Sequence, residues 1–472
     1  MKPQIKNGNT IWLLCCFSFV FLLTFCSLNI PFFWDSVTFS KIAGLFYSNG
    51  FNGFIVPETS DTGGFPLYGA YIAAGWMLFG KSLAVSHLLF LPFLVGVVWE
   101  FYKLCKRFLP EAYIPVALVF LCAEPCFVTQ GMLMAYDVIL LYLLLLATNC
   151  LLNGKYIVYS VSLIFIGLIS VRGLMALPAL AIVHGILIFY FKERRFTYAD
   201  ILVYLPVIAV FIVWILWHKQ QTGWYFLSPM LEGTDQKLVG AAMMFRQFIY
   251  VLWKIADFGR VFIWLTIPLL AFLFRKQLRG KPDFKLLLIF LLLPLLVNML
   301  FMVPISNPVG QRYFMFTYII LIITVTYIIR FMQKRMFRIG VIIGLLAAMI
   351  SGNIWLWPEK YGNGWDCSLK VLPFFKIEKQ ARLFVVSHQI NPVDIATDFP
   401  LQADAVNTYL ADKSFHYSDK GTVPLRSFKY ILHSNISNKF SPAEMSELEQ
   451  QWKIIFSASQ WPVYLRIYKN PE

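Results

Sequence analysis

Long apolar runs separated by short polar stretches dominate the chain. Runs near the ~20 residues that cross a bilayer as a helix cover about 11–30, 83–102, 110–128, 137–152, 156–171, 174–191, 201–217, 259–274, 285–303, 313–330 and 339–357. This pattern predicts about eleven transmembrane helices. Basic residues fall in alternate loops: Lys103, Lys106 and Arg107; Lys155; Lys192, Arg194 and Arg195; Arg275 to Lys281; Arg330 to Arg338. Together with Lys2 and Lys6, they place the N-terminus and these loops in the cytoplasm by the positive-inside rule. An odd number of crossings then puts the C-terminal segment outside. The first run is long and no Ala-x-Ala site follows it, so it reads as a retained signal anchor.

Three segments break the pattern. Residues 31–80 form a first outer loop with two amphipathic pieces, Ser36 to Tyr47 and Pro66 to Phe79, suited to lie in the interface plane. A second outer loop runs from His218 to about Phe258, where Trp224, Tyr225 and Trp253 suit an aromatic belt or a sugar-stacking surface. The third is the tail, residues 358–472, whose composition is that of a small soluble α/β domain beside a transmembrane domain of residues 1–357. The tail reads as a helix near Ile377 to His388, strands near Val393 to Thr397 and Lys429 to His433, a helix near Pro442 to Trp452 and a strand pair around Trp461-Pro462. Ser441-Pro442-Ala443-Glu444 is a helix start of capping-box type.

Composition agrees with a polytopic membrane protein. Hydrophobic residues make up 59% and charged residues 14%, with a mean hydropathy of +0.66, which leaves too little polar surface for a soluble globule. The net charge of +15 reflects topology and not nucleic-acid binding, because the basic residues lie in loops and form no stripe with exposed aromatics. Of the eight cysteines only Cys367 lies outside the apolar runs and their ends, so neither a disulfide framework nor a zinc site is expected.

Against this background a few charges at the outer ends of spans need a local reason. Asp35 is the first charged residue after the first run, in Pro31-Phe32-Phe33-Trp34-Asp35-Ser36, and Asp137 opens a later run in the same way. An acid held near a bilayer is costly enough to be read first as functional. Arg172 and Arg312 also sit at outer ends, where charge topology gives no reason for them, and the arginine fork matches phosphate. The bland alternatives are that Asp35 and Asp137 cap helices, and that the arginines snorkel to lipid phosphates. Glu58 and Asp61 lie in the same first loop and read as solvated acids, while His87, His184 and His218 are isolated and read as structural.

The order of motifs resembles a known family. An Asp after the first span, then Gly64-Phe65-Pro66-Leu67-Tyr68-Gly69, Leu78-Phe79-Gly80, Tyr136-Asp137 and Gln311-Arg312-Tyr313 resemble the GT-C membrane glycosyltransferases of the protein O-mannosyltransferase and aminoarabinose-transferase type, over residues 1–360. The resemblance implies a donor sugar carried on a polyprenyl phosphate and Asp35 as the catalytic base. The residues themselves suggest Asp137 as a second catalytic acid, Arg172 and Arg312 as ligands of the donor phosphate, and Glu58, Asp61, Tyr68, Tyr136 and Tyr313 as candidate contacts to substrate or to a divalent metal. Two positions depart from the pattern: Gly63-Gly64-Phe65-Pro66 lacks the polar residue of many relatives, and Arg172-Gly173-Leu174 replaces a Lys-Gly-Pro turn. The run from Pro358 to Asp366 also resembles a family motif at the membrane exit, with no chemical role assigned.

The expected function is therefore an inverting glycosyltransferase of a bacterial inner membrane, acting on an envelope glycan, lipid or protein at the outer face. The rival reading is a secondary transporter or lipid flippase. Transporters place key charges near the midplane between internal repeats, and neither feature is visible here.

Overall fold

The computed structural model describes residues 7–61, 63–192, 195–225, 228, 237–306, 309–358, 361–437 and 440–471. The apolar runs form helices because, without water, backbone polar groups must be satisfied within the segment. The helices of the body are α1 (Asn7–Ser27), α2 (Ser36–Asn49), α3 (Leu67–Phe79), α4 (Leu83–Phe108), α5 (Ile114–Ala123), α6 (Pro125–Met132), α7 (Tyr136–Leu152), α8 (Tyr156–Ile169), α9 (Val171–Phe189), α10 (Leu205–Thr222), α11 (Ala241–Ala256), α12 (Arg260–Leu273), α13 (Pro282–Met302), α14 (Met315–Ile329) and α15 (Arg335–Ser351). Among the described residues seven helices are long and apolar enough to cross a membrane, or up to nine if the bent pairs α5–α6 and α11–α12 each count as one span. The predicted amphipathic pieces of the first loop are α2 and α3. The second outer loop is not all loop, since Ala241–Ala256 forms the amphipathic helix α11, bent by 89° from α12.

Helix α14 is the central post: 89% of its apolar stretch, which begins at Gln311, is buried, against 17% for α15. Both bends are held by buried polar groups around its N-terminal end. Glu124 caps α6 by accepting from the Phe127 amide at 2.6 Å, and its other oxygen pairs with Arg260, whose Nε lies 2.9 Å away. Arg260 donates to the Asp257 carbonyl at 3.0 Å and lies over the Tyr318 ring at 3.7 Å. Gln311 in turn donates to the Asp257 carboxylate at 2.8 Å. Breaking a buried pair such as Glu124–Arg260 strands a charge and typically costs about 3–5 kcal/mol.

The tail carries α16 (Leu372–Ser387), β1 (Ile395–Thr397), β2 (Ser418–Asp419), β3 (Tyr430–Ser434), α17 (Pro442–Gln451), β4 (Lys453–Gln460) and β5 (Val463–Lys469). Strand order is β2-β1-β3-β5-β4, with β1 parallel to both neighbours and β5 antiparallel to both of its own. The predicted capping box at Ser441 and Glu444 is present in full. Helix α16 buries Ile377, Ala381 and Val385 against Leu432, Leu465 and Ile467, and the same core takes in Phe33 from the first outer loop and Leu133 from the α6–α7 turn. This shared core seats the sheet directly against the mouth of the body.

Candidate active site

Four elements bring charge to one point at that mouth. Asp35 stands just ahead of α2, Asp137 in the first turn of α7, Arg172 in the first turn of α9 and Arg312 in the short 3₁₀ turn Gln311–Phe314 that leads into α14. Arg312 is the hub. It contacts Asp35 Oδ2, lies 3.3 Å from Asp137 Oδ2 through Nε, and pairs through Nη1 with Asp366 of the tail. Arg172 donates to Asp137 Oδ1 at 2.7 Å and lies 3.8 Å from Asp35 Oδ2. The four residues singled out from sequence thus meet in one cluster.

Neither acid behaves as a cap. Asp35 occupies the N-cap position but makes no side-chain capping bond; the preceding turn is held by Ser36, whose hydroxyl pairs with the Phe33 amide and carbonyl at 2.8 and 2.7 Å. The carboxylate is thus left for the arginines. Two backbone kinks aim the acids: Trp34, just before Asp35, and Met134, three residues before Asp137, both adopt the left-handed region with φ of 57° and 52°. Non-glycine residues held there are enriched where surrounding structure enforces a functional geometry.

Aromatic groups complete the walls. Arg172 lies between the rings of Tyr313 and Tyr136, at 4.0 and 4.7 Å, and Tyr313 also lies under Arg312 at 5.3 Å. Stacked in this way, a guanidinium keeps its in-plane donors free for an oxyanion. Tyr68 does not join the cluster: its hydroxyl donates to the Met134 carbonyl at 2.8 Å and steadies the kink before Asp137. Glu58 is exposed in a one-turn 3₁₀ helix. Asp61 is buried but engaged elsewhere, accepting from His218 at 2.9 Å, Trp224 at 2.8 Å and the Gly63 amide at 2.9 Å, which fastens the first loop to the end of α10. Among the described residues no three His, Cys, Asp or Glu side chains are grouped as a metal ion would require.

Asp366 was not singled out from sequence. It lies in the run at the membrane exit, where Gln130 of α6 donates to its carbonyl at 2.5 Å and reaches its carboxylate at 3.5 Å. Gly364 explains the glycine of that run: its φ is +60°, and a Cβ there would come within 2.5 Å of the Gln311 side chain, next door to Arg312. Gly173 has a similar reason, since a Cβ would meet the Ile166 carbonyl at 1.9 Å where α8 and α9 cross beside Arg172.

Exposure separates the three acids. The Asp35 side chain is 41% exposed, whereas those of Asp137 and Asp366 are 3% and 7% exposed. Both arginine contacts of Asp35 fall on Oδ2, and no described residue hydrogen-bonds Oδ1. From the arginines a cavity partly open to solvent runs between α7, α9, α13 and α14, walled by Leu140, Leu144, Leu180, Met302 and Phe316. The two arginines and Asp137 stand at one end of this cavity, and mostly apolar side chains, with Asn298 and Thr317, line the rest.

Neither a family model nor a curated protein sequence matches the chain. Its structure is similar to that of ArnT from Cupriavidus metallidurans. The match to the crystal structure bound to undecaprenyl phosphate has a TM-score of 0.57 at 13% identity, and the match to the apo state 0.55 at 12% identity, each covering 98% of both chains. At such low identity the likeness establishes the fold alone, over the tail as well as the body.

Proposed function

We propose that this chain is an integral membrane glycosyltransferase that moves a sugar from a polyprenyl-phosphate donor to a hydroxyl of an envelope acceptor, with inversion. The observation that carries this reading is the convergence of Asp35, Asp137, Arg172 and Arg312 at the head of an apolar cavity. The solved neighbour is described as bound to undecaprenyl phosphate, an amphiphile of the shape this cavity suits. We take the two bent pairs and the shorter α7 and α8 as crossings beside the seven long helices, with α3 lying in the interface, and on that reading the tail stands on the outer, periplasmic side of a bacterial inner membrane.

The chemistry follows from the exposure of the acids. A phosphate entering from the cavity competes with carboxylates for the two guanidinium groups, and Asp35, the most exposed, is the least costly to displace. Arg172 and Arg312 then hold the phosphate and stabilise the charge it gains as the glycosidic bond breaks. Asp35, through Oδ1, takes the proton of the acceptor hydroxyl as that oxygen attacks the anomeric carbon from the opposite face. The products are the new glycoside and the polyprenyl phosphate. One base and a direct displacement invert the centre, and no second nucleophilic carboxylate is required. Asp137 and Asp366 stay paired and hold the guanidinium groups in place. In this scheme a divalent metal has no assigned role, because Arg312 already occupies the space between the three carboxylates.

The test supplies purified protein with a polyprenyl-phosphate sugar and an envelope extract. Release of the free lipid phosphate coupled to acceptor glycosylation supports the reading. Movement of an intact solute across sealed vesicles without cleavage of the glycosyl phosphate would replace it with a transporter.

A further inference from the structure

A second pocket is lined by Trp34, the residue before Asp35. Its walls come from the first outer loop at Phe33 and Trp34, from α16 at Phe375 and Glu378, and from the segment that follows β1, at Pro400 and Tyr409, and it is partly open to solvent. The place is one where α/β sheets take ligands: β1 is the strand flanked by parallel partners on both sides, and the chain leaving its carboxyl end forms the rim. The loop and the tail are joined here, since the Phe32 amide donates to the Thr408 carbonyl at 2.9 Å and Trp34 meets Phe399 edge to face at 4.9 Å.

The polar edge of the pocket offers acceptors and little else. Tyr409 donates its hydroxyl proton to Glu378, and burial together with the nearby Glu378 charge pushes that hydroxyl well above the ordinary phenol range, so the proton stays on. The Tyr409 oxygen keeps a lone pair for an incoming donor. Thr408 is set in the same way, its hydroxyl donating to the Asp404 carbonyl at 3.1 Å. Glu378 is held by Arg382 at 2.9 Å, whose guanidinium covers the Tyr409 ring at 3.6 Å. Oxygen acceptors beside a carboxylate repel a phosphate and leave an apolar peptide unpaired. They suit a ligand rich in hydroxyl donors with an apolar ring face for Trp34, Phe33 and Phe375.

We propose that this pocket is the acceptor subsite and that it binds a neutral sugar ring, stacked on Trp34 and hydrogen-bonded to Tyr409 and Thr408, with one of its hydroxyls presented to Asp35. The proposal rests on the glycosyltransferase reading for its purpose, but the binding is testable without turnover. Trp34 is adjacent in the chain to Asp35, so a sugar seated on the indole lies next to the residue that bears the base. The tail thereby acquires a task, which is to supply half of the acceptor site.

The experiment is saturation-transfer NMR on the purified full chain in nanodiscs, with dephosphorylated core oligosaccharide from a Gram-negative envelope as probe. The wild type is expected to saturate ring protons of the probe. Tyr409→Phe and Thr408→Val, which keep shape, are each expected to weaken binding roughly threefold to tenfold, the worth of one neutral hydrogen bond. Trp34→Gly, which tolerates the left-handed backbone, should weaken it at least as much, while Arg107→Lys, outside the pocket, leaves binding in place. In turnover assays Tyr409→Phe should raise the KM for acceptor without changing the slow hydrolysis of donor by water. Absence of saturation in the wild type, or equal saturation in wild type and all three pocket variants, would overturn the subsite. Oligosaccharide binding without any donor cleavage would overturn the glycosyltransferase reading and leave the subsite standing.

Discussion

Replacing Arg312 separates donor binding from mere structural support. Its side chain is 5% exposed and meets three carboxylates, so solvent screens little of the interaction with Asp137 and Asp366, while the 41% exposed Asp35 adds little stability. Arg312→Lys keeps the charge but replaces a planar fork by a point donor, losing one of two parallel bonds to a phosphate. A charge-assisted bond is worth about 1.5–3 kcal/mol, so the affinity for undecaprenyl phosphate should fall roughly 10–150-fold. Arg312→Ala should bind more weakly still and lose stability as well, by about 3–5 kcal/mol, because Asp137 and Asp366 are left buried without that cation. The assay is titration of undecaprenyl phosphate into nanodisc-embedded protein, read by native mass spectrometry, with thermal unfolding measured in parallel. Arg107→Lys is the control, being a half-exposed pair with Asp283 outside this cluster. Wild-type affinity in Arg312→Lys, or an Arg312→Ala protein that is destabilised yet binds lipid phosphate normally, would refute the reasoning and leave Arg312 as a structural clamp.

Two further outcomes follow. Asp366→Asn removes the carboxylate that holds Arg312 Nη1 from the tail side, so donor turnover should drop by about 10²-fold, the scale of a 1 Å misplacement, while Arg312→Lys combined with Asp366→Asn should lose much less than the product of the two effects; full additivity would show that Asp366 acts independently of Arg312. Reporters active on one side of the membrane, fused after Gly280 and after Glu472, should give opposite signals, and matching signals would contradict the eleven-crossing topology.

Much of this site was legible because charge is expensive at a membrane edge. Asp35, Asp137, Arg172 and Arg312 each stood at an outer span end without a topological reason, and all four meet. Asp366 escaped because it lies in a stretch of soluble composition, where one more acid costs nothing; its signal was the Gly-Asn-Gly-Trp-Asp run, visible but mute until Gly364 is seen packed on Gln311. Glu124 and Arg260 lay inside predicted spans, and two opposite charges within apolar runs are a sign of a buried pair. The bends they fix were hidden, because hydropathy counts apolar residues and does not register a change of direction. Helix α11 was read as loop for a related reason: Arg246, Gln247 and Lys254 break its apolar residues into runs too short to cross a bilayer. In the tail the elements were readable from turn chemistry, whereas the docking of Phe33 and Leu133 into its core joins residues hundreds of positions apart and leaves no local trace.

The central claim is that Asp35 removes the acceptor's proton while the arginines hold the lipid phosphate. Asp35→Asn keeps the shape and cannot take the proton, so the decisive measurement is single-turnover cleavage of a polyprenyl-phosphate sugar by this variant, alongside its affinity for undecaprenyl phosphate. Cleavage is expected to slow by roughly 10²–10⁴-fold or more, the share of a general base, while lipid-phosphate binding stays at or above the wild-type level because a competitor for Arg312 and Arg172 has been weakened. Cleavage at the wild-type rate, or slow cleavage explained wholly by lost lipid binding, would contradict the account.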